Sequence, residues 1–468
     1  MIGQGPKDRL QVVGSRAGSV FLIMVALLSI LLLSGCSPDE TDVSTPDETT
    51  VSSTAGTEVS TGEEAEASSI CVECHQATTP AIVSQWRNSR HAAVETGCLD
   101  CHRADESDPD AFEHHQETIA IIVSPLDCAR CHEKEREQFS DSHHAQAAQF
   151  IGSLDNYLGV AVEGAPAAAM GCEQCHGSTV AVTENGRLAP ATWPNTGIGR
   201  VNPDGSKGSC TACHARHSFS SAQARRPENC GKCHMGPDHP QKEIYEESKH
   251  GILYEANEDK MNLDSDSWVV GQDYYSAPTC ATCHMSATRD QETTHDAGAR
   301  ISWTLRPAVS IKLDNWESRR DAMKDVCTEC HSQDYTDSFY KQFDGAVGLY
   351  NNKFGEPSKA IMEQLHNEGV LTETPFDEEL EWIYFELWHH EGRRARMGAS
   401  MMGPDFVQWH GFYEVAKHFY NEFLPRAEEL QPGITETLLK DDYHQWRQGL
   451  SEEEMQQLLR FYKERYSE

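Results

Sequence analysis

Cys71-Val72-Glu73-Cys74-His75 is the first copy of a pattern that decides how this chain is read. It recurs at Cys98, Cys101 and His102; Cys128, Cys131 and His132; Cys172, Cys175 and His176; Cys210, Cys213 and His214; Cys230, Cys233 and His234; Cys280, Cys283 and His284; and Cys327, Cys330 and His331. The eight copies of Cys-x-x-Cys-His take sixteen of the seventeen cysteines. One copy alone also fits a zinc knuckle, a dithiol redox pair or part of a disulfide. Eight copies, each followed by histidine, point to c-type haem attachment. The two thiols add to the haem vinyl groups and the adjacent histidine ligates the iron from the proximal side. The cofactors expected are eight covalently bound c-type haems.

Around this series the chain divides into four stretches. Residues 1–35 have a basic start (Lys7, Arg9, Arg16), an apolar run from Ser19 to Leu33, and the sequence Leu33-Ser34-Gly35-Cys36. That is the pattern of a secretory signal, and the apolar run is short of the roughly twenty residues a bilayer span needs. Leu-Ser-Gly-Cys resembles the bacterial lipobox, which gives the odd cysteine, Cys36, a role as the acylated first residue of an exported, membrane-anchored lipoprotein, periplasmic or at the cell surface. Residues 36–69 are rich in Ser, Thr, Glu, Gly and Pro and read as a disordered tether. Residues 70–335 carry all eight motifs, at uneven gaps of roughly 20 to 50 residues, so they form no solenoid. Residues 336–468 contain no cysteine and turn helical in pattern. Leu380, Trp382, Ile383, Leu387 and Trp388 predict a helix within Asp377–Met402. Phe406, Trp409, Phe412, Tyr413, Ala416, Phe419, Tyr420 and Phe423 predict a second, opened by Pro404 and ending before Pro425. A last helix is expected over Asp441–Tyr466. The fold class is mainly α: a multihaem cytochrome c fold of short helices and loops around eight haems, followed by a C-terminal bundle of long helices.

The formal charge of −35 excludes nucleic acid as a partner and favours a basic redox partner.

A c-type iron with a second histidine carries electrons, whereas one with an open sixth position binds and transforms a small ligand. Of 23 histidines, eight are proximal and fifteen remain. His91, His217, His250 and His295 sit in settings that suit a distal ligand. The doublets His114/His115, His143/His144 and His389/His390 each offer one more, assigned to His115, His143 and His390, although spacing treats the two members of a doublet alike. Seven distal candidates for eight irons leave one iron open. His366, His410, His418 and His444 are also spare. Asp238-His239, held in Gly236-Pro237-Asp238-His239-Pro240, reads as a rigid acid/base pair, with a distal ligand or a structural turn as the alternatives.

The segments between motifs carry a further signal. Asp238-His239-Pro240-Gln241, Glu246-Glu247-Ser248-Lys249-His250-Gly251, Ala277-Pro278-Thr279 leading into Cys280, Thr294-His295-Asp296, Ile301-Ser302-Trp303, Leu305-Arg306-Pro307-Ala308-Val309-Ser310 and Trp409-His410-Gly411 occur in the order in which the hydroxylamine oxidoreductase family has them. The chain resembles that family over about residues 70–425. The resemblance implies that the fourth haem, on Cys172, Cys175 and His176, is catalytic and lacks a distal protein ligand. It also implies that Asp238 and His239 are its acid/base pair, that the other seven haems are bis-histidine wires, and that the protein is a homotrimer. Oxidising members of the family link the catalytic haem to a tyrosine of a neighbouring subunit. Reducing members lack that tyrosine and convert nitrite or hydroxylamine to ammonium. Phe406 stands where the tyrosine is expected, which favours reduction, while Tyr413 and Tyr420 lie close by. The resemblance therefore implies a multihaem oxidoreductase of small nitrogen compounds, fed by a partner such as a membrane quinol-oxidising cytochrome. A non-catalytic electron conduit is the reading in which every iron has two histidines and no acid/base pocket.

Overall fold

The computed structural model describes residues 62–150 and 157–466. The signal segment, Cys36 and most of the expected tether lie outside the described residues. The first helix, Gly62–Thr78, begins inside the stretch read as a tether. Its opening residues, Glu63-Glu64-Ala65-Glu66-Ala67, are good helix formers, with acidic groups where the helix dipole favours them. The ordered body therefore starts a turn or two earlier than composition implied.

The motif region is a succession of short helices and turns, with a single two-stranded hairpin among the described residues. The motifs lie on or next to helical turns, for example Cys98–His102, Cys172–His176 and Cys280–His284. A spacing of three residues puts both thiols of a motif on one side of the turn. Side chains within or beside the motifs cap these turns. Asp100 accepts a bond from the Gly97 amide at 2.6 Å, Asp127 from the Ser124 amide at 2.7 Å, and Thr282 from the Thr279 amide at 2.9 Å. The fourth motif is backed by a close crossing of two loops. The amides of Ile198 and Gly199 bond the carbonyls of Cys175 and His176. A side chain at Gly197 would strike the backbone of Gly177, which itself sits at φ +82°.

Beyond the last motif the elements lengthen. Ser332 caps the helix Gln333–Tyr350, which runs through a π turn, Asn351–Gly355, into Glu356–Asn367. The helix expected over Asp377–Met402 spans Glu379 to Met401 and is interrupted by a second π turn, Glu386–Gly392. Such turns mark functional sites more often than chance. Pro404 opens the next helix, as expected. Pro425 does not end it. The proline lies in the first turn of Leu424–Leu430, just after a π turn, where its missing N–H costs little. The last expected helix is split: a 3-10 segment, Asp442–Gln448, ends at Gly449 (φ 87°), and a helix follows over Glu452–Tyr466. The main apolar core lies in this part of the chain, where Tyr350, Phe354, Leu365, Leu380, Leu387, Phe419 and Phe423 are buried together. Among the described residues no helix is long and apolar enough to cross a membrane.

Candidate active site

Haem ligation leaves a geometric mark on a chain that carries no ligands. Metal–nitrogen bonds of about 2 Å on either side of an iron set the centres of two facing imidazoles about 6 Å apart. Six motif histidines have a non-motif ring at that separation. The pairs are His75 with His114 at 6.2 Å, His132 with His91 at 6.2 Å, His102 with His217 at 6.3 Å, His214 with His295 at 6.5 Å, His234 with His144 at 6.0 Å, and His331 with His250 at 6.1 Å. Burial lowers the pKa of His91, His217, His250 and His295, and takes His144 and His214 down to about 4. These rings are neutral at neutral pH, the form that binds a metal. Second nitrogens are anchored as well: Nδ1 of His102 bonds the Ala120 carbonyl at 2.9 Å, and Nδ1 of His284 bonds the Ala297 carbonyl at 3.0 Å, which turns Nε2 toward a metal. The residues present fit c-type haem.

The geometry separates the doublets that spacing could not. His114, not His115, faces His75. His114 ends a strand paired with Glu117–Ile119, whereas His115 and Gln116 form the two-residue turn, at φ 51° and 71°. A turn with both central residues at positive φ carries its side chains away from the paired strands. His144 rather than His143 faces His234. His143 lies at the Gly298 turn, while His144 is also an electrostatic neighbour of His284. His390 is not one of the six facing rings. Its neighbours are His389 at 5.4 Å and Phe385 at 6.0 Å, and it is within electrostatic reach of Asp238. The π turn Glu386–Gly392 carries this doublet toward Asp238. Of the spare histidines, His444 accepts a bond from the Tyr420 hydroxyl at 2.8 Å, His418 meets Glu391 at 3.0 Å, His410 meets Asp405 at 3.3 Å, and Nδ1 of His366 bonds the Thr372 carbonyl at 3.1 Å.

Thiols from different motifs meet, which fixes the order of the motifs in space. Cys71 contacts Cys98, Cys128 contacts Cys210, Cys175 contacts Cys233, and Cys230 contacts Cys280. Cys101 is an electrostatic neighbour of Cys128, Cys213 of Cys230, and Cys283 of Cys327. The line runs first, second, third, fifth, sixth, seventh, eighth, with the fourth beside the sixth.

Asp238 and His239 lie at that junction. His239 is an electrostatic neighbour of Cys175. Its Nδ1 is 2.5 Å from Asp238 Oδ1, and its Nε2 is 2.8 Å from the Cys233 carbonyl oxygen. A carboxylate and a carbonyl only accept, so both ring nitrogens face acceptors, an arrangement that favours the imidazolium form. Burial alone would lower its pKa, but the bond and charge of Asp238 and the Cys233 carbonyl outweigh burial and raise it. Burial likewise pushes Asp238 up, and the bond and charge of His239, with His389 and Arg393, bring it down to about 2. His239 also stands 6.2 Å from His234, but both its nitrogens are turned to acceptors, so His144 is the better ligand there. The pair was legible in the sequence; its support was not. Arg393 Nη1 donates to Asp238 Oδ2 at 3.2 Å, and Arg393 Nε donates to the Arg306 carbonyl at 2.7 Å. It lies 155 residues from Asp238, and no motif or spacing points to it.

The haem-binding geometry has counterparts among known proteins. A family model described as seven times multi-haem cytochrome CxxCH matches residues 204–376, and one described as cytochrome c554 and c-prime matches residues 127–184. A probable nitrite reductase-hydroxylamine oxidoreductase fusion protein of Kuenenia stuttgartiensis is 26% identical over 358 residues, 65% of this chain and 38% of that protein. A solved structure titled hypothetical multiheme protein superposes with a TM-score of 0.68 at 25% identity, covering 82% of this chain and 98% of its own. These matches make the chain similar to multihaem c-type cytochromes, and to the hydroxylamine oxidoreductase group among them. A chain of a reducing HAO-like protein complex from Kuenenia stuttgartiensis shares the fold, with a TM-score of 0.60 at 21% identity over 81% of this cytochrome and 90% of that chain. The cytochrome spans well under half the length of the curated fusion protein it matches.

Two phenols near Phe406 matter for the direction of chemistry. Tyr420 is buried, donates to His444 and accepts from the Trp446 indole at 3.3 Å. Tyr413 is 52% exposed, with its ring 5.4 Å from Trp409. Phe406 packs under Gly398 and beside the His410 ring.

Proposed function

We propose that this cytochrome reduces nitrite and hydroxylamine to ammonium at a haem held by Cys172, Cys175 and His176. The observation that carries the reading is His239 with its two ring nitrogens against Asp238 and the Cys233 carbonyl, beside the thiol of Cys175. Haem iron supplies the site at which a nitrogen oxide binds and accepts electrons. The chain supplies what the metal does not. Asp238 keeps a proton on His239 near neutrality, Arg393 holds Asp238 in place, and the loop crossing at Gly177 and Gly197 fixes the fourth motif. Nitrite reduction consumes six electrons and several protons, so a stored proton next to the reacting nitrogen speeds each protonation. The facing histidines and the spatial order of the motifs support a line of seven haems delivering electrons to the fourth.

Phe406 supports the reductive direction because it has no phenol to link to a haem. Tyr420 is committed to His444 and Trp446, which leaves Tyr413 as the phenol that favours hydroxylamine oxidation as a second reading. The name of the curated relative, which couples nitrite reductase with hydroxylamine oxidoreductase, is compatible with either direction. The setting proposed is an exported lipoprotein anchored through Cys36, homotrimeric, and fed by a basic or membrane quinol-oxidising redox partner.

Steady-state assays of the purified protein with nitrite and hydroxylamine, using a reducing and an oxidising dye, test the reading. Ammonium formed with the reducing dye supports it. Faster hydroxylamine oxidation, together with a haem peptide joined to a Tyr413 peptide in mass spectrometry, overturns it. No turnover with either substrate, with every haem low-spin, leaves the electron conduit.

A further inference from the structure

The helix Glu452–Tyr466 has no buried residue. Its apolar residues nevertheless follow one face: Met455, Leu458, Leu459, Tyr462 and Tyr466 fall at steps of three, four, seven and eleven. Leu459 is 54% exposed, Tyr462 52% and Tyr466 73%. Trp446 and Leu450, also exposed, add apolar surface just before it. A helix of 15 residues is at the length where an isolated helix is marginal in water, so this one needs a surface to lie on. It contains no cysteine and follows the last motif by more than a hundred residues, so its stripe is not a haem wall.

The charges select the occupant. Glu452, Glu453 and Glu454 fill the first turn, and the last holds Lys463 and Arg465 on either side of Glu464. We infer that the stripe pairs antiparallel with the same helix of a second copy of this chain. A two-fold axis between Leu458 and Leu459 sets Met455 against Tyr462 of the second copy and brings each acidic first turn beside the last turn that carries Lys463 and Arg465. A parallel pair would oppose glutamates to glutamates. The antiparallel arrangement also aligns opposite ends of the two helix dipoles. A lipid surface suits the stripe less, because interfacial helices are rich in Lys and Arg on the polar face, whereas this one sets four glutamates against three basic residues on a chain of net charge −35. The inference is independent of the reaction proposed above, and the pairing doubles whatever assembly the rest of the chain forms.

The test is the mass of the haem-loaded protein by light scattering and sedimentation. A chain ending at Gln448 and the variant Leu459→Asp should each have half the assembled mass of the parent, with unchanged haem absorption. Glu452→Arg and Arg465→Glu should each raise the dissociation constant at least tenfold, and the double exchange should restore it. A mass unchanged by truncation, a fall to one third, or a double exchange no tighter than the single ones would overturn the inference.

Discussion

The two ends of the described chain solve the same problem with different materials. Between residues 62 and 220 the buried apolar side chains, such as Val83, Leu99, Ile122, Phe139 and Val180, are scattered and join none of the core clusters among the described residues. Between Tyr350 and Ala427 a continuous cluster takes in three stretches of helix, with Leu365, Leu380, Leu387, Phe419 and Phe423 at zero exposure. Burial of apolar surface drives folding in both; in the first, porphyrin is expected to supply most of the apolar matter, and in the second it is side chain. A count of hydrophobic residues therefore undervalues one region and describes the other fairly.

The strongest way to break that contrast is to withhold the cofactor. Protein made without haem attachment should be cleaved by protease throughout the motif region, while fragments spanning Tyr350–Ala427 persist; equal resistance of both would show that haem is not the missing core. Next in size is the Asp238–His239 pair, which Arg393 of the helical region reaches. His239→Ala should slow nitrite reduction by about two to four orders of magnitude, the usual effect of a lost general acid, with haem content unchanged. The pH dependence follows from the raised pKa of His239. Activity that needs its proton is complete below the ordinary imidazole range and declines as pH rises through the raised value; Asp238→Asn should move that decline to lower pH, and His239→Ala should remove it. Within the helical core, Leu387→Ala should cost about 2–5 kcal/mol by leaving a cavity, read as a lower denaturant midpoint in far-UV dichroism. The smallest effect expected is at the junction. The Ser332 hydroxyl accepts the Tyr335 amide at 3.3 Å and starts the first long helix, so Ser332→Ala should cost about 1 kcal/mol in the same measurement.

What the sequence made legible was chemistry with a fixed local spacing. Cys-x-x-Cys-His announces itself within five residues, and Asp238-His239 within two. The apolar periodicity of residues 379–423 placed its helices, although it missed that Pro425 is harmless after a π turn and that Gly449 breaks the last helix. Distal histidines were harder, because a ligand approaches its iron through tertiary structure. Spacing could not tell His114 from His115; a tight turn did, by its dihedral angles. Nor could it show that His144 faces His234, or that His389 and His390 turn toward an aspartate. Arg393 was invisible for the same reason: it reaches Asp238 across 155 residues, and its own surroundings in sequence are an ordinary basic helix.

That arginine has a consequence for how the molecule could be taken apart and rebuilt. Arg393 belongs to the cysteine-free helices, and it grips the carboxylate that keeps a proton on His239 while its Nε holds the loop at Arg306. The part of the chain with no motif thus reaches the carboxylate that faces His239 in a site built on motifs. A chimera that grafts these motifs onto a foreign helical half would keep every haem cysteine and proximal histidine and still lose the setting of its acid, unless the graft brought an arginine to the same carboxylate.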